Sequence, residues 1–183
     1  MIIGSISENK HFEKRIAITP DIVKKYTSLG FEVSLCENYG SHLGIKDEQF
    51  KDLGVKISKN EIEILNSSDI IVQLGMLSDD KSGHINENQT LIGVLNPYDN
   101  KEKLKILIQK KINLFSLELL PRITRAQSMD ILSSQANLAG YHAVIDAAQE
   151  FNRVLPLFMT AAGKVTPANV LVIGAGVAGL QAI

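Results

Sequence analysis

A chain of 183 residues with 19 Lys and Arg against 20 Asp and Glu is long enough for one large domain, or one domain and part of another, around a sizeable core. It contains no run of five or six like charges, so the electrostatic footprint of a DNA, RNA or anionic-lipid binder is missing and no nucleic-acid partner is expected. A single cysteine, Cys36 in the apolar FEVSLCE, excludes an internal disulfide and reads as a buried thiol in a reducing cytosol. Neither a signal peptide nor an apolar run of about 18 residues is present, and the chain is expected to be soluble by itself.

In chain order, MIIGSI is a run of strand length. The stretch 21–30 follows, with Ile22, Val23, Tyr26 and Leu29 at helical spacing, Pro20 near its start and Gly30 as a stop. FEVSLCE alternates as a strand, and KDEQFKDLG is a short helix ending at Gly54. DIIVQLG, TLIGVLN and INLFSLELL are apolar runs with turns or helices between them. Residues 99–110 carry Leu104, Ile106, Leu107 and Ile108, enough for one buried helical face. Strands alternating with helices imply a mostly parallel sheet covered on both faces. The expected fold class is therefore α/β, an open, doubly wound parallel sheet over residues 1–127.

From Ser128 to Phe151 the pattern changes to small residues at spacings of three and four: Ala136, Ala139, Gly140, Ala143 and Ala147 beside Leu132. Such a helix can approach another element closely, and its length suits a connector between domains, expected with its following turn at 128–160. PLFMTAAGKVTPA reads as turn-rich, and NVLVI as a buried strand entering GAGVAGLQAI. Gly174, Gly176 and Gly179 then give G-x-G-x-x-G between a predicted strand and a predicted helix, the setting a dinucleotide fingerprint requires. Gly174 would allow a tight turn, Gly176 a close approach of backbone to a diphosphate, and Gly179 tight packing of helix on strand. The alternative is a glycine-rich packing turn. Residues 161–183 are expected to begin a second, Rossmann domain. The acidic ribose-binding residue would lie about 20 positions further on, so that domain is expected to be incomplete at Ile183.

PRITRAQSMDILSSQ, residues 121–135, concentrates hydrogen-bonding side chains where an apolar run meets the long helix. On the residues alone, Ser128 is a candidate N-cap, Asp130 a first-turn acid complementing the helix dipole, and Arg122 a partner for a carboxylate. EKRIAITP places Glu13, Lys14 and Arg15 at the C-terminal edge of the sheet, where ligands usually sit, although on the residues alone it reads as a solvated, charged loop before a helix. His42 in ENYGSHLGIKDEQF reads as structural. His11, His84 and His142 share no metal-ligand spacing with each other or with Cys36, so no metal is assigned.

Taken together, EKRIAITP, RITRAQSMDILSSQANLAGYHAVIDAA and MTAAGKVTPANVLVIGAGVAGLQAI resemble the N-terminal half of the alpha subunit of proton-translocating NAD(P) transhydrogenase, a relative of alanine dehydrogenase. The resemblance covers essentially the whole chain and is strongest from Pro121 to Ile183. It implies two α/β domains joined by a helix, with NAD(H) in the cleft between them, and hydride transfer, of the Si-Re specific class, to NADP(H) on a partner domain. It also implies a membrane domain that couples transfer to proton movement, a homodimer, and a cytoplasmic site on the inner face of the plasma membrane through the partner subunits. By resemblance Arg122, Gln127 and Asp130 hold the nicotinamide end and serve as the catalytic set, with Ser133 beside the carboxamide. The backbone of Gly174, Gly176, Val177, Ala178 and Gly179 holds the diphosphate. The substrate lysine and catalytic histidine of alanine dehydrogenases fall on Gly75 and Asn96, which can neither pair with a carboxylate nor donate a proton near neutral pH. Arg15 is common to both relatives. An alanine dehydrogenase-like enzyme and a truncated, non-catalytic assembly module are the alternatives, and the 183-residue chain alone is expected to be inactive.

Overall fold

The apolar runs become the strands of one sheet. A computed structural model, describing all residues 1–183, divides into two units, Met1–Leu120 and Pro121–Ile183. The first unit contains β1 (Ile2–Ser5), β2 (Glu32–Cys36), β3 (Lys56–Ser58), β4 (Ile70–Val72), β5 (Thr90–Gly93) and β6 (Asn113–Ser116). All neighbours pair in parallel in the order β3-β2-β1-β4-β5-β6, the doubly wound arrangement. Between the strands run α1 (Pro20–Ser28), α2 (Asp47–Lys51), α3 (Glu61–Ser67), α4 (Asp79–Ser82) and α5 (Lys101–Gln109). Pro20 begins α1, where a missing N–H costs nothing. Asn60 caps α3 by accepting from the Ile62 N–H at 3.0 Å. Strand β3, α3 and α4 lie in stretches whose sequence pattern is too short to announce them.

Ile3, Val33, Leu35, Ile71 and Leu91 of the sheet are buried with Val23 of α1, Phe50 of α2, Ile64 and Leu65 of α3 and Leu107 of α5. Each such side chain contributes about 1.5–3 kcal/mol by leaving water. Two polar side chains tie down the exit of β1, beside β4, where the strand order reverses. Gln73 Oε1 accepts from Ser5 Oγ at 2.8 Å and from the Ile6 N–H at 2.9 Å. The Tyr39 hydroxyl accepts the N–H groups of Ala17 and Ile18, each at 3.1 Å, and shares a hydrogen bond with Ser5 Oγ at 2.8 Å. Tyr39 thereby anchors the end of the long loop that follows β1.

The second unit contains α6 (Ile131–Glu150), an antiparallel hairpin of β7 (Phe158–Thr160) and β8 (Gly163–Val165), and α7 (Val177–Ala182). The helix expected from Ser128 starts three residues later. Asp130, in an extended conformation, accepts the Ser133 N–H at 3.0 Å and so fixes the first turn, while Ser128, a candidate cap, lies inside a 3-10 turn over Thr124–Met129. The small-residue stripe does permit a close approach: a Cβ at Gly140 would collide with the carbonyl of Ala178 in α7. The buried strand expected at NVLVI, residues 169–173, does not form. Val170 is 69% exposed, Leu171 84% and Ile173 92%. A strand requires a neighbour for its N–H and C=O groups, and within this unit β7 and β8 pair only with each other. Residues 158–165, expected as turns, are that hairpin.

Candidate functional site

Each glycine of the G-x-G-x-x-G turn meets a separate steric demand. Gly174 has φ +109°, a backbone conformation that L side chains rarely adopt. A Cβ at Gly179 would collide with the carbonyl oxygen of Gly174, so a larger residue there would open the turn. Gly176 is the N-cap of α7, and a Cβ on it would meet nothing within 4 Å. The first-turn N–H groups of Val177, Ala178 and Gly179 have no carbonyl partner within the helix. Two glycines shape the turn, and the third leaves open space before a row of free donors. That is the shape and polarity of an anion cradle, and these residues fit the diphosphate of a dinucleotide.

The polar stretch at the start of α6 is organised around Asp130. One oxygen of its carboxylate accepts the Ser133 N–H at 3.0 Å, and the other accepts the Ser133 hydroxyl at 2.7 Å. The hydroxyl bond first, then the Ser133 N–H and, among smaller causes, the Arg122 charge, hold the Asp130 carboxyl below its usual pKa. Asp130 is therefore an acceptor at neutral pH. Gln127 contributes its carbonyl to the Asp130 N–H at 3.2 Å, and its side chain is exposed, as is that of Arg122. Ser133 and Gly140 stand seven residues apart, hence on one face of α6 and about 10 Å apart along its axis. Since Gly140 is where α7 packs, the helix sets the separation between the Asp130–Ser133 pair and the opening of the glycine turn.

In the first unit, Glu13 and Arg15 form an ion pair with Nη2 to Oε2 at 2.6 Å. The Arg15 side-chain bond lowers the Glu13 pKa and is reciprocated by a raised Arg15 pKa. His42 bonds the Lys14 carbonyl at 2.7 Å, a structural role. Gly75 follows β4, and Asn96 follows β5 with φ +44° and its N–H donated to Glu118 Oε1 at 2.5 Å. Two acidic residues at this sheet edge, Glu118 and Glu8, escape sequence reasoning. Glu8 Oε1 accepts the Leu74 N–H at 2.6 Å and the Gly75 N–H at 3.4 Å. Its position three residues past the first parallel strand is the signal that could have found it. No group of three or more His, Cys, Asp or Glu side chains is placed to hold a metal ion.

Comparison with known proteins agrees with this fold. The family profile described as "Alanine dehydrogenase/PNT, N-terminal domain" matches residues 4–139, and "Alanine dehydrogenase/PNT, C-terminal domain" matches residues 143–183. Over its whole length the chain is 43% identical to NAD(P) transhydrogenase subunit alpha of Haemophilus influenzae, of which it covers 35%. It is 39% identical to the subunit of the same name from Cereibacter sphaeroides, again covering 35% of that protein. The crystal structure of transhydrogenase from Sinorhizobium meliloti superposes with a TM-score of 0.93 at 41% identity, over 100% of this chain and 54% of that one. An L-alanine dehydrogenase structure gives a TM-score of 0.84 at 19% identity, over 100% of this chain and 50% of that one, a likeness of fold. The chain thus spans between a third and about half of the length of the relatives it matches. With both profiles in sequence order and its high identities on the transhydrogenase side, the chain belongs to the alanine dehydrogenase/PNT family.

Proposed function

We propose that the chain is the NAD(H)-binding, N-terminal part of a proton-translocating NAD(P) transhydrogenase, in which residues 161–183 open a Rossmann domain. The observation that carries this reading is the seating of the glycine turn against Gly140, on the face of α6 that begins with Asp130 and Ser133. In a dinucleotide one ribose separates the diphosphate from the nicotinamide, and α6 holds a cradle for the first at a fixed distance from polar groups suited to the second.

Bound NAD(H) supplies the hydride. The N–H groups of Val177, Ala178 and Gly179 receive the diphosphate. Gln127 offers both donor and acceptor to the carboxamide, Ser133 a hydroxyl, and Asp130 an acceptor fixed by its own hydrogen bonds. Arg122 pairs with a phosphate or with Asp130. Hydride passage between two nicotinamides needs no acid or base, so these residues position the ring and keep water away. NADP(H) is held on a partner domain and proton movement belongs to a membrane domain. No helix of this chain is long and apolar enough to cross a membrane, and attachment to the inner face of the plasma membrane runs through those partners. The working unit is a homodimer, of the Si-Re class.

The test is hydride transfer from NADH to an NADP analogue by the full-length subunit with its NADP-binding partner, and a folded complex that transfers none removes the proposal. Pyruvate- and ammonia-dependent NADH oxidation is expected to be absent, because Gly75 and Asn96 offer neither a cation nor a proton donor.

A further inference from the structure

We propose, resting on the reading of residues 122–133 as the nicotinamide end of the site, that the charges of Asp130 and Arg122 set the relative affinity of the chain for oxidised and reduced cofactor, and with it the potential of the bound couple. NADH gives a hydride, two electrons and one proton, to the nicotinamide of NADP⁺ on the partner domain. Its own ring is left as a pyridinium carrying one positive charge, while its carboxamide, riboses and diphosphate are unchanged. A neutral hydrogen-bonding group therefore serves both forms alike, and a fixed charge beside the ring is what tells them apart.

The stretch 121–135 holds three ionised side chains, Arg122, Arg125 and Asp130, and the structure separates their roles. Both carboxylate oxygens of Asp130 are engaged by Ser133, Oδ1 by its N–H at 3.0 Å and Oδ2 by its hydroxyl at 2.7 Å. The negative charge is thereby held at the first turn of α6 instead of swinging through solvent. The charge of Arg122 acts on that carboxylate, so a cation and an anion lie within interaction range of one another at this junction. Asp130 attracts a cationic ring and Arg122 repels it; a neutral ring is indifferent to both. Arg125 belongs to the 3-10 turn Thr124–Met129, in which residues three apart stack. It shares a side of that turn with Ser128, whereas Gln127, which offers its amide to the carboxamide, shares the other side with Thr124. Arg125 is thus a cation of the same stretch directed away from the ring.

The test measures the dissociation constants of NAD⁺ and of NADH by calorimetric titration of the full-length subunit, wild type and variants, at one ionic strength. Asp130→Asn keeps an acceptor for the Ser133 N–H and removes the charge. The ratio of the NAD⁺ constant to the NADH constant is expected to rise about three- to tenfold. Arg122→Gln is expected to lower the same ratio by a similar factor, and because Asp130 caps α6, this variant reads the charge with the helix start intact. Arg125→Gln is expected to leave the ratio unchanged. A tenfold rise corresponds to a potential of the bound couple higher by about 30 mV. Loss of a hydrogen bond, or of a contact to the diphosphate, weakens both forms equally and leaves the ratio where it was. A ratio that stays constant in Asp130→Asn and Arg122→Gln, moves the same way in both, or shifts as far in Arg125→Gln overturns the proposal. With both forms still bound, that result leaves the nucleotide site in place, whereas a wild-type subunit that binds neither form removes the site itself.

Discussion

Asp130 has two roles that substitution can separate. It caps α6 through the Ser133 N–H and, with the Ser133 hydroxyl, forms the acceptor proposed to face the nicotinamide. Asparagine caps a helix about as well as aspartate, whereas alanine does not. Asp130→Asn is therefore expected to leave the thermal midpoint nearly unchanged while slowing hydride transfer about tenfold or more in the full-length complex. Asp130→Ala is expected to lower the midpoint by about 2–4 °C as well. Equal transfer rates in wild type and Asp130→Asn would return this residue to a purely structural role. Tyr39 invites a second test, because burial pushes its phenol pKa up to about 12, leaving it a neutral hydrogen-bonding group at any working pH. Tyr39→Phe strands the N–H groups of Ala17 and Ile18, while Ser5 keeps its bond to Gln73, and is expected to cost about 1–3 kcal/mol in urea unfolding. The sequence made the residues from Arg122 to Ser133 visible because seven polar side chains crowd one junction. Tyr39, Glu8 and Glu118 were hidden for the opposite reason: each is a single polar residue that holds backbone groups 21 to 67 positions away, and no local pattern records such a partner.

At the scale of elements, α6 and the glycine turn act as one unit of measurement, since the position of α7 depends on two missing side chains. Gly179→Ala would drive a methyl group into the Gly174 carbonyl, opening the turn and misplacing the first-turn N–H groups of α7. NADH affinity is expected to fall about tenfold or more by calorimetric titration of the full-length subunit. Gly140→Ala would push α7 off α6 at the Ala178 carbonyl and is expected to cost about 1–3 kcal/mol of stability through overpacking. Titration and unfolding curves identical to wild type would show that neither contact matters. The small-residue stripe predicted this approach correctly because close helix packing leaves its record in residue size. The first turn of α6 was misplaced because Ser128 and Asp130 are both good caps, and the choice depended on whether Ser133 could return a hydrogen bond. The strand expected at 169–173 failed for a different reason: apolarity signals burial, but pairing requires a neighbour that the stretch itself cannot supply.

For the molecule as a whole, strand–helix alternation was enough to predict an α/β parallel sheet, since parallel strands need crossovers and buried strands must be apolar on both faces. The order of the strands, and with it the crevice at the reversal between β1 and β4, depends on which way each crossover turns, information no single stretch holds. The same crevice gives the molecule a distinctive response to pH. Burial raises the Glu8 pKa above its ordinary 4.5, while the N–H groups of Leu74 and Gly75 oppose that rise. A carboxyl whose folded pKa is raised favours the folded state below its unfolded pKa, and that contribution is lost as pH climbs through the folded value. Glu13 and Asp130, whose pKa values are lowered, behave in the reverse sense: their contribution is present above the unfolded value and lost as pH falls through the folded one. Acid is therefore expected to destabilise the chain below about pH 4 through Glu13 and Asp130. Glu8→Gln removes the opposing contribution, so the midpoint of the variant relative to wild type is expected to be higher at pH 7 than at pH 4. Thermal unfolding of both proteins across that range measures the difference directly. A difference that stays constant with pH, or one that runs the other way, would mean that the Glu8 carboxyl is no harder to ionise in the folded chain than in water.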